Sequence, residues 1–185
     1  GQIASSSAPN SGPGGNVTIT ATESIAISGS APASVLPAPF NELIKETASG
    51  IFSTAPADNP SANPAGSVVV STQALSLSAG GKVSVATEGP GAAGSIAVNA
   101  GSVSISGSAT GLFSTATAGG DAGQITLSGS GVSLSNQGQI STSTAAAGRG
   151  GTVVLDASGS LSIDGGAGLF STAQGTGPAG SILVS

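Results

Sequence analysis

The side chains able to do chemistry are few. Eight are carboxylates (Glu23, Glu42, Glu46, Asp58, Glu88, Asp121, Asp156 and Asp164) and three are cationic (Lys45, Lys82 and Arg149). Histidine and cysteine are absent, which removes most nucleophile–base triads and the usual zinc ligand sets. Serine and threonine abound, but none has an evident base beside it. Paired carboxylates of the kind that cleave glycosides are what is left. Asp156 and Asp164 fall in one repeat unit on different turns, and Glu88 and Asp121 fall in equivalent loops of neighbouring units. Both pairs read as solvated loop acids rather than as an acid and a nucleophile. Gly119-Gly120-Asp121 matches a fragment of a calcium-binding nonapeptide, but it occurs once and lacks the continuation that would complete the site. No catalytic residue, metal ligand or cofactor site is therefore assigned. Asn16-Val17-Thr18 fits a glycosylation acceptor by chance, inside a strand.

The elements that hold these residues follow from composition and repetition. Of 185 residues, 31 are glycine, only 6% are charged and 2% aromatic. Disordered chains combine low hydropathy with high net charge; here mean hydropathy is positive and the net charge is −5. The apolar residues are mostly β-branched or leucine, in short alternating runs, so a thin β core is expected. Three basic residues cannot make a cationic surface for nucleic acid. No apolar run reaches membrane-spanning length, and no membrane insertion is expected. No secretory leader opens the chain at Gly1, which reads as a mature fragment or a segment of a longer protein.

Internal repetition decides the fold class. Gly50-Ile51-Phe52-Ser53-Thr54, Gly111-Leu112-Phe113-Ser114-Thr115 and Gly168-Leu169-Phe170-Ser171-Thr172 alternate with Gly1-Gln2-Ile3, Gly81-Lys82-Val83 and Gly138-Gln139-Ile140. The starting glycines are separated by 49, 31, 30, 27 and 30 residues. Each unit continues through a Gly/Ala/Pro-rich loop to a second run such as Gly123-Gln124-Ile125-Thr126-Leu127, then to a third such as Val132-Ser133-Leu134. Three runs of period two imply three walls, each strand stacked on its counterpart about 4.8 Å away. The expectation is an all-β parallel β-helix (β-solenoid) with three short strands per coil and about six coils. Residues 1–185 form one domain, interrupted by an insertion at 30–49 between the first and second coils.

Aligned on those glycines, Ile3, Phe52, Val83, Phe113, Ile140 and Phe170 stack inward, with Phe in alternate coils. Ala4, Ser53, Ser84, Ser114, Ser141 and Ser171 then form an outward column. The second runs point Val17/Ile19, Val68/Val70, Ile96/Val98, Ile125/Leu127, Val153/Leu155 and Ile182/Val184 inward. They expose Thr18, Val69, Ala97, Thr126, Val154 and Leu183, an apolar column suited to lateral contact. The third runs expose Ala26, Ser76, Ser104, Ser133 and Ser162. Such small-residue walls are ordinary soluble β surface, or they bind glycans, ice or neighbouring rods. In the insertion, Asn41 can cap a short helix carrying Glu42, with Phe40, Leu43 and Ile44 packed on the solenoid wall or presented to a partner.

The Gly-Leu-Phe-Ser-Thr strings, the loops ending Ala-Gly-x-Ile/Leu and Gly138-Gln139-Ile140-Ser141-Thr142-Ser143-Thr144 together resemble the repeat region of filamentous-haemagglutinin-like two-partner-secretion exoproteins. The resemblance covers nearly all of the chain outside 30–49. It implies the right hand of the helix, export through an outer-membrane secretion partner, and a place outside the cell or on the outer surface of a Gram-negative-type bacterium. With the repeat and the missing chemistry, it leads to the expectation of a structural or adhesive rod that self-associates end to end or side by side or attaches to host or surface glycans, with no enzyme activity. The alternatives are a glycan-binding or glycan-processing β-helix, or a stalk presenting an effector domain. The family's secretion domain carries an Asn-Pro-Asn-type signature; here Asp58-Asn59-Pro60 and Ala62-Asn63-Pro64 lack its continuation, so the chain reads as repeat rather than secretion signal.

Overall fold

A computed structural model describes residues 1–7, 12–29, 48–57 and 62–185. Among these the chain is all β, forming about five turns of a β-solenoid, with no helix. Asn41, the rest of the expected helix, and the acids Glu42, Glu46 and Asp58 lie outside the described residues. Where the chain resumes, the Ser49 N–H donates to the Gly29 carbonyl at 2.9 Å, so the two ends of the excursion meet.

The strands are β1 (Gln2–Ser6), β2 (Val17–Thr20), β3 (Ser24–Ser28), β4 (Gly50–Ala55), β5 (Val68–Ser78), β6 (Lys82–Thr87) and β7 (Ile96–Ser106). They continue as β8 (Gly111–Ala116), β9 (Gln124–Ser135), β10 (Gln139–Thr144), β11 (Thr152–Ile163), β12 (Gly168–Ala173) and β13 (Ser181–Val184). One sheet has the order β1-β4-β6-β8-β10-β12 and the other β13-β11-β9-β7-β5-β2, with β3 also on β5. Every pairing is parallel. The second and third runs of a coil separate as β2 and β3 only at the start; in β5, β7, β9 and β11 one bent strand carries both.

Stacking supplies what a short run lacks alone, a partner for each backbone amide and carbonyl above and below. The inward columns of the second and third runs lie where period two puts them. Val68, Val70, Ile96, Ile125, Leu127, Val153 and Leu155 are buried, as are Leu75, Leu77, Val103, Ile105, Val132 and Leu134. Corners are tight. The turn into β12 uses consecutive left-handed glycines, Gly165 at φ +59 and Gly166 at φ +77, while Asn136 and Gln137 adopt the same sense before β10 without glycine.

The first-strand ladder differs from expectation by one residue in the phenylalanine coils. Gly50 pairs with Lys82, Lys82 with Gly111, and Gln139 with both Gly111 and Gly168. The inward column is therefore Ile3, Ile51, Val83, Leu112, Ile140 and Leu169, while Phe52, Phe113 and Phe170 stand in the outward column with Ala4, Ser84 and Ser141. A one-residue slip exchanges the two faces of a strand. It also moves Ser53, Ser114 and Ser171, expected outside, into the inward column with Val85 and Thr142. The physical reason is the narrow interior. Branched aliphatic residues fill it with one side chain per coil, and a ring has more room outside, over a residue that has no side chain.

Candidate functional site

The outward face of the first sheet carries a two-coil pattern. Gln2, Lys82 and Gln139 alternate along the axis with Gly50, Gly111 and Gly168, and two residues on, small residues alternate with phenylalanine. Each phenylalanine coil thus has glycine where its neighbours have a long polar side chain. A Cβ on Gly168 would lie 2.8 Å from Cζ of Phe170, and one on Gly50 would lie 2.7 Å from Cζ of Phe52. These rings fold back over the glycine of their own strand. The Lys82 ammonium lies 5.7 Å from the Phe113 ring centroid, within cation–π range. Phe52 is buried at 4% exposure, Phe113 is half-buried, and Phe170 in the last strand of the sheet is 40% exposed.

Beneath this face runs a line of interior hydroxyls, of which Ser53, Ser114 and Ser171 were expected outside. Ser53 Oγ donates to the Gly15 carbonyl at 2.9 Å and accepts the Gly66 N–H at 2.9 Å. Ser114 Oγ donates to the Gly94 carbonyl at 3.1 Å and accepts the Gly123 N–H at 2.9 Å. Thr142 and Ser171 both donate to the Gly150 carbonyl, at 2.6 and 2.7 Å. These hydroxyls tie the first strand to the loop glycines that lead into the second. Buried polar groups are retained where they find partners, and these do.

The second sheet exposes the two columns expected of it. Thr18, Val69, Ala97, Thr126, Val154 and Leu183 stand in register on one wall, and Ala26, Ser76, Ser104, Ser133 and Ser162 on the other. Val69 and Leu183 are exposed. At the start of the wall a hydroxyl rail links coils: Ser67 Oγ lies 2.9 Å from Ser95 Oγ, and Thr152 Oγ1 lies 3.3 Å from Ser181 Oγ. The Asn16 carboxamide oxygen accepts the Ser67 N–H at 2.8 Å.

The acids are dispersed. Asp121 Oδ1 accepts the Arg149 N–H at 2.7 Å across neighbouring loops, and the Asp121 carbonyl accepts from Ala93 N–H at 2.8 Å. Its stacking neighbours are thus the segments around Ala93 and Arg149. Glu88 sits at the start of its loop, with its N–H on the Ala55 carbonyl at 2.9 Å. Asp164 Oδ2 accepts a long hydrogen bond from Ser162 at 3.4 Å, past the end of β11, while Asp156 is exposed at the bend of that strand. Among the described residues no group of three or more potential ligands could hold a metal ion. No helix among them is long and apolar enough to cross a membrane.

Comparison of the chain with protein-family models, with curated proteins and with solved structures gave no match.

Proposed function

We propose that this chain is a rigid rod segment of a secreted bacterial surface or extracellular filament protein, serving attachment or self-assembly rather than catalysis. In this reading it is a right-handed parallel β-helix of about six coils, each with three short strands, of the filamentous-haemagglutinin-like two-partner-secretion kind. The observation that carries the proposal is the continuity of stacking: two sheets run the full length of the described chain over one uninterrupted aliphatic core. In such a ladder each coil's backbone amides and carbonyls are held by the coils on either side, so bending the axis means breaking many bonds at once. Stiffness along one axis suits projection from a cell or growth into a fibre.

A further observation supports it. The sides carry mostly Ser, Thr, Ala and Val in straight columns, a flat surface for lateral packing or for glycans. Cells that export the parent protein test the reading. Removing these coils in frame should lower surface attachment or cell aggregation and shorten surface filaments; unchanged attachment, aggregation and filaments would overturn it.

A further inference from the structure

The bends in β7, β9 and β11, where each strand passes from the second wall to the third, together form a concave groove of about 220 Å³. Asn99, Ser128 and Asp156 stand in register along it in three successive coils, and Ser130 and Ser158, two residues further along their strands, also line it. Ala100 and Gly129 line it too, and side chains this small keep it open. Ser130 Oγ is committed to the Gly101 carbonyl at 2.6 Å, whereas Asn99, Asp156 and Ser158 are exposed and Ser128 is half-buried.

A second feature falls at the same place. The register of β11 on β9 shifts between Ala157 and Ser160, so one strand carries an extra residue at the rim of the groove. Bulges of this kind re-aim side chains and are over-represented beside functional sites. Here the bulge lies just beyond Ala157, the residue after Asp156, and includes Ser158.

We propose that this groove binds a stretch of a neutral, extended, β-linked glycan. Asn99 offers both donors and an acceptor, the serines offer both, and the Asp156 carboxylate accepts. Sugar hydroxyls, which donate and accept, match that set. The coils repeat about every 4.8 Å, close to the advance of one sugar residue along an extended β-1,4 chain, so successive coils meet successive sugars. Asp156 is the only charged residue in the lining and the chain's net charge is −5, which disfavours sulfated or uronic-acid polymers. The volume lies below the roughly 300–1,000 Å³ of pockets that enclose a small molecule. An open groove under a passing chain fits it better. The rod reading does not depend on this site and survives its failure.

The test is an amide-resolved NMR titration of residues 1–185 with cellohexaose, xylohexaose and chitohexaose, with a sulfated heparin hexasaccharide and calcium chloride run separately. At least one neutral hexaose should shift the amides of 99–101, 128–130 and 156–158, with a dissociation constant on the order of 1 mM or tighter. Asn99→Ala and Asp156→Ala should each weaken binding about tenfold with the melting temperature unchanged, since both side chains are exposed and outside the core. The proposal is overturned if no neutral hexaose moves those amides. It is equally overturned if only calcium or the sulfated sugar does, or if the double variant binds as well as the parent chain.

Discussion

At the residue scale the first strand holds most of the information, because one string, Leu-Phe-Ser, assigns three different environments. Leu112 is fully buried, the Phe113 ring lies outside near Lys82, and Ser114 is buried and bonded twice to backbone. The two hydrophobic neighbours should therefore respond to very different degrees. Leu112→Ala should cost about 2–5 kcal/mol through lost burial and a cavity. Phe113→Ser, the larger deletion, should cost about 1 kcal/mol or less, because Ser84 and Ser141 occupy the same column in the adjoining coils. Urea unfolding of both variants decides between this register and one with phenylalanine inside, which demands the reverse order. Ser114→Ala should lose about 1–3 kcal/mol by leaving the Gly123 N–H and Gly94 carbonyl without their side-chain partner, measured in the same way.

The position of these residues was only partly legible in the sequence. The second and third runs could be read directly, since strict alternation and a preceding glycine fix both face and start, and the structure keeps every column there. The first run misled because its opening glycines are not equivalent. Gly81 and Gly138 belong to turns, with their N–H groups on Ser78 and Ser135 carbonyls at 2.9 Å, whereas Gly50, Gly111 and Gly168 are strand residues. A usable signal was present in the spacing. Aligned on Lys82, Gly111, Gln139 and Gly168, the coils advance by 29, 28 and 29 residues, more evenly than 30, 27 and 30. The groove was illegible because it depends on where a continuous strand bends, and nothing in Asn99, Ser128 or Asp156 alone marks a bend.

At the scale of the element, the loop that joins first to second strand is as ordered a stack as the sheets. Gly66, Gly94, Gly123 and Gly180 each lie so close to the previous coil that a Cβ would fall on a backbone carbonyl oxygen, of Gly15, Gly66, Gly94 and Gly151 respectively. The glycine at these four places is thus required by close backbone approach between coils, the condition under which a side chain cannot be added. None of these four oxygens belongs to a flexible side chain, so none can swing away. Gly94→Ala should destabilise by about 3 kcal/mol or more. Gly119→Ala, where an added Cβ meets no atom but φ is +101, should cost only about 1 kcal/mol of backbone strain. Thermal melts of the two variants side by side check the contrast; equal losses would mean that the loops do not stack as described.

At the scale of the whole molecule, the fold explains the composition. A solenoid has a long, thin interior, so it is filled by Val, Ile and Leu, the corners consume glycine, and straight outer walls of Ser, Thr and Ala need little charge. Its stability is a sum over neighbouring coils, and its surface is a set of columns repeating at the coil spacing. Rod, wall and groove are consequences of that one repeat. The most direct test of the central claim is cryo-electron microscopy of the purified chain, with the diffraction of any ordered assemblies recorded along their long axis. The account predicts straight rods, single or joined end to end, with a strong axial repeat near 4.8 Å running parallel to the rod. Compact round particles, or fibres whose strands lack that axial spacing, would contradict it.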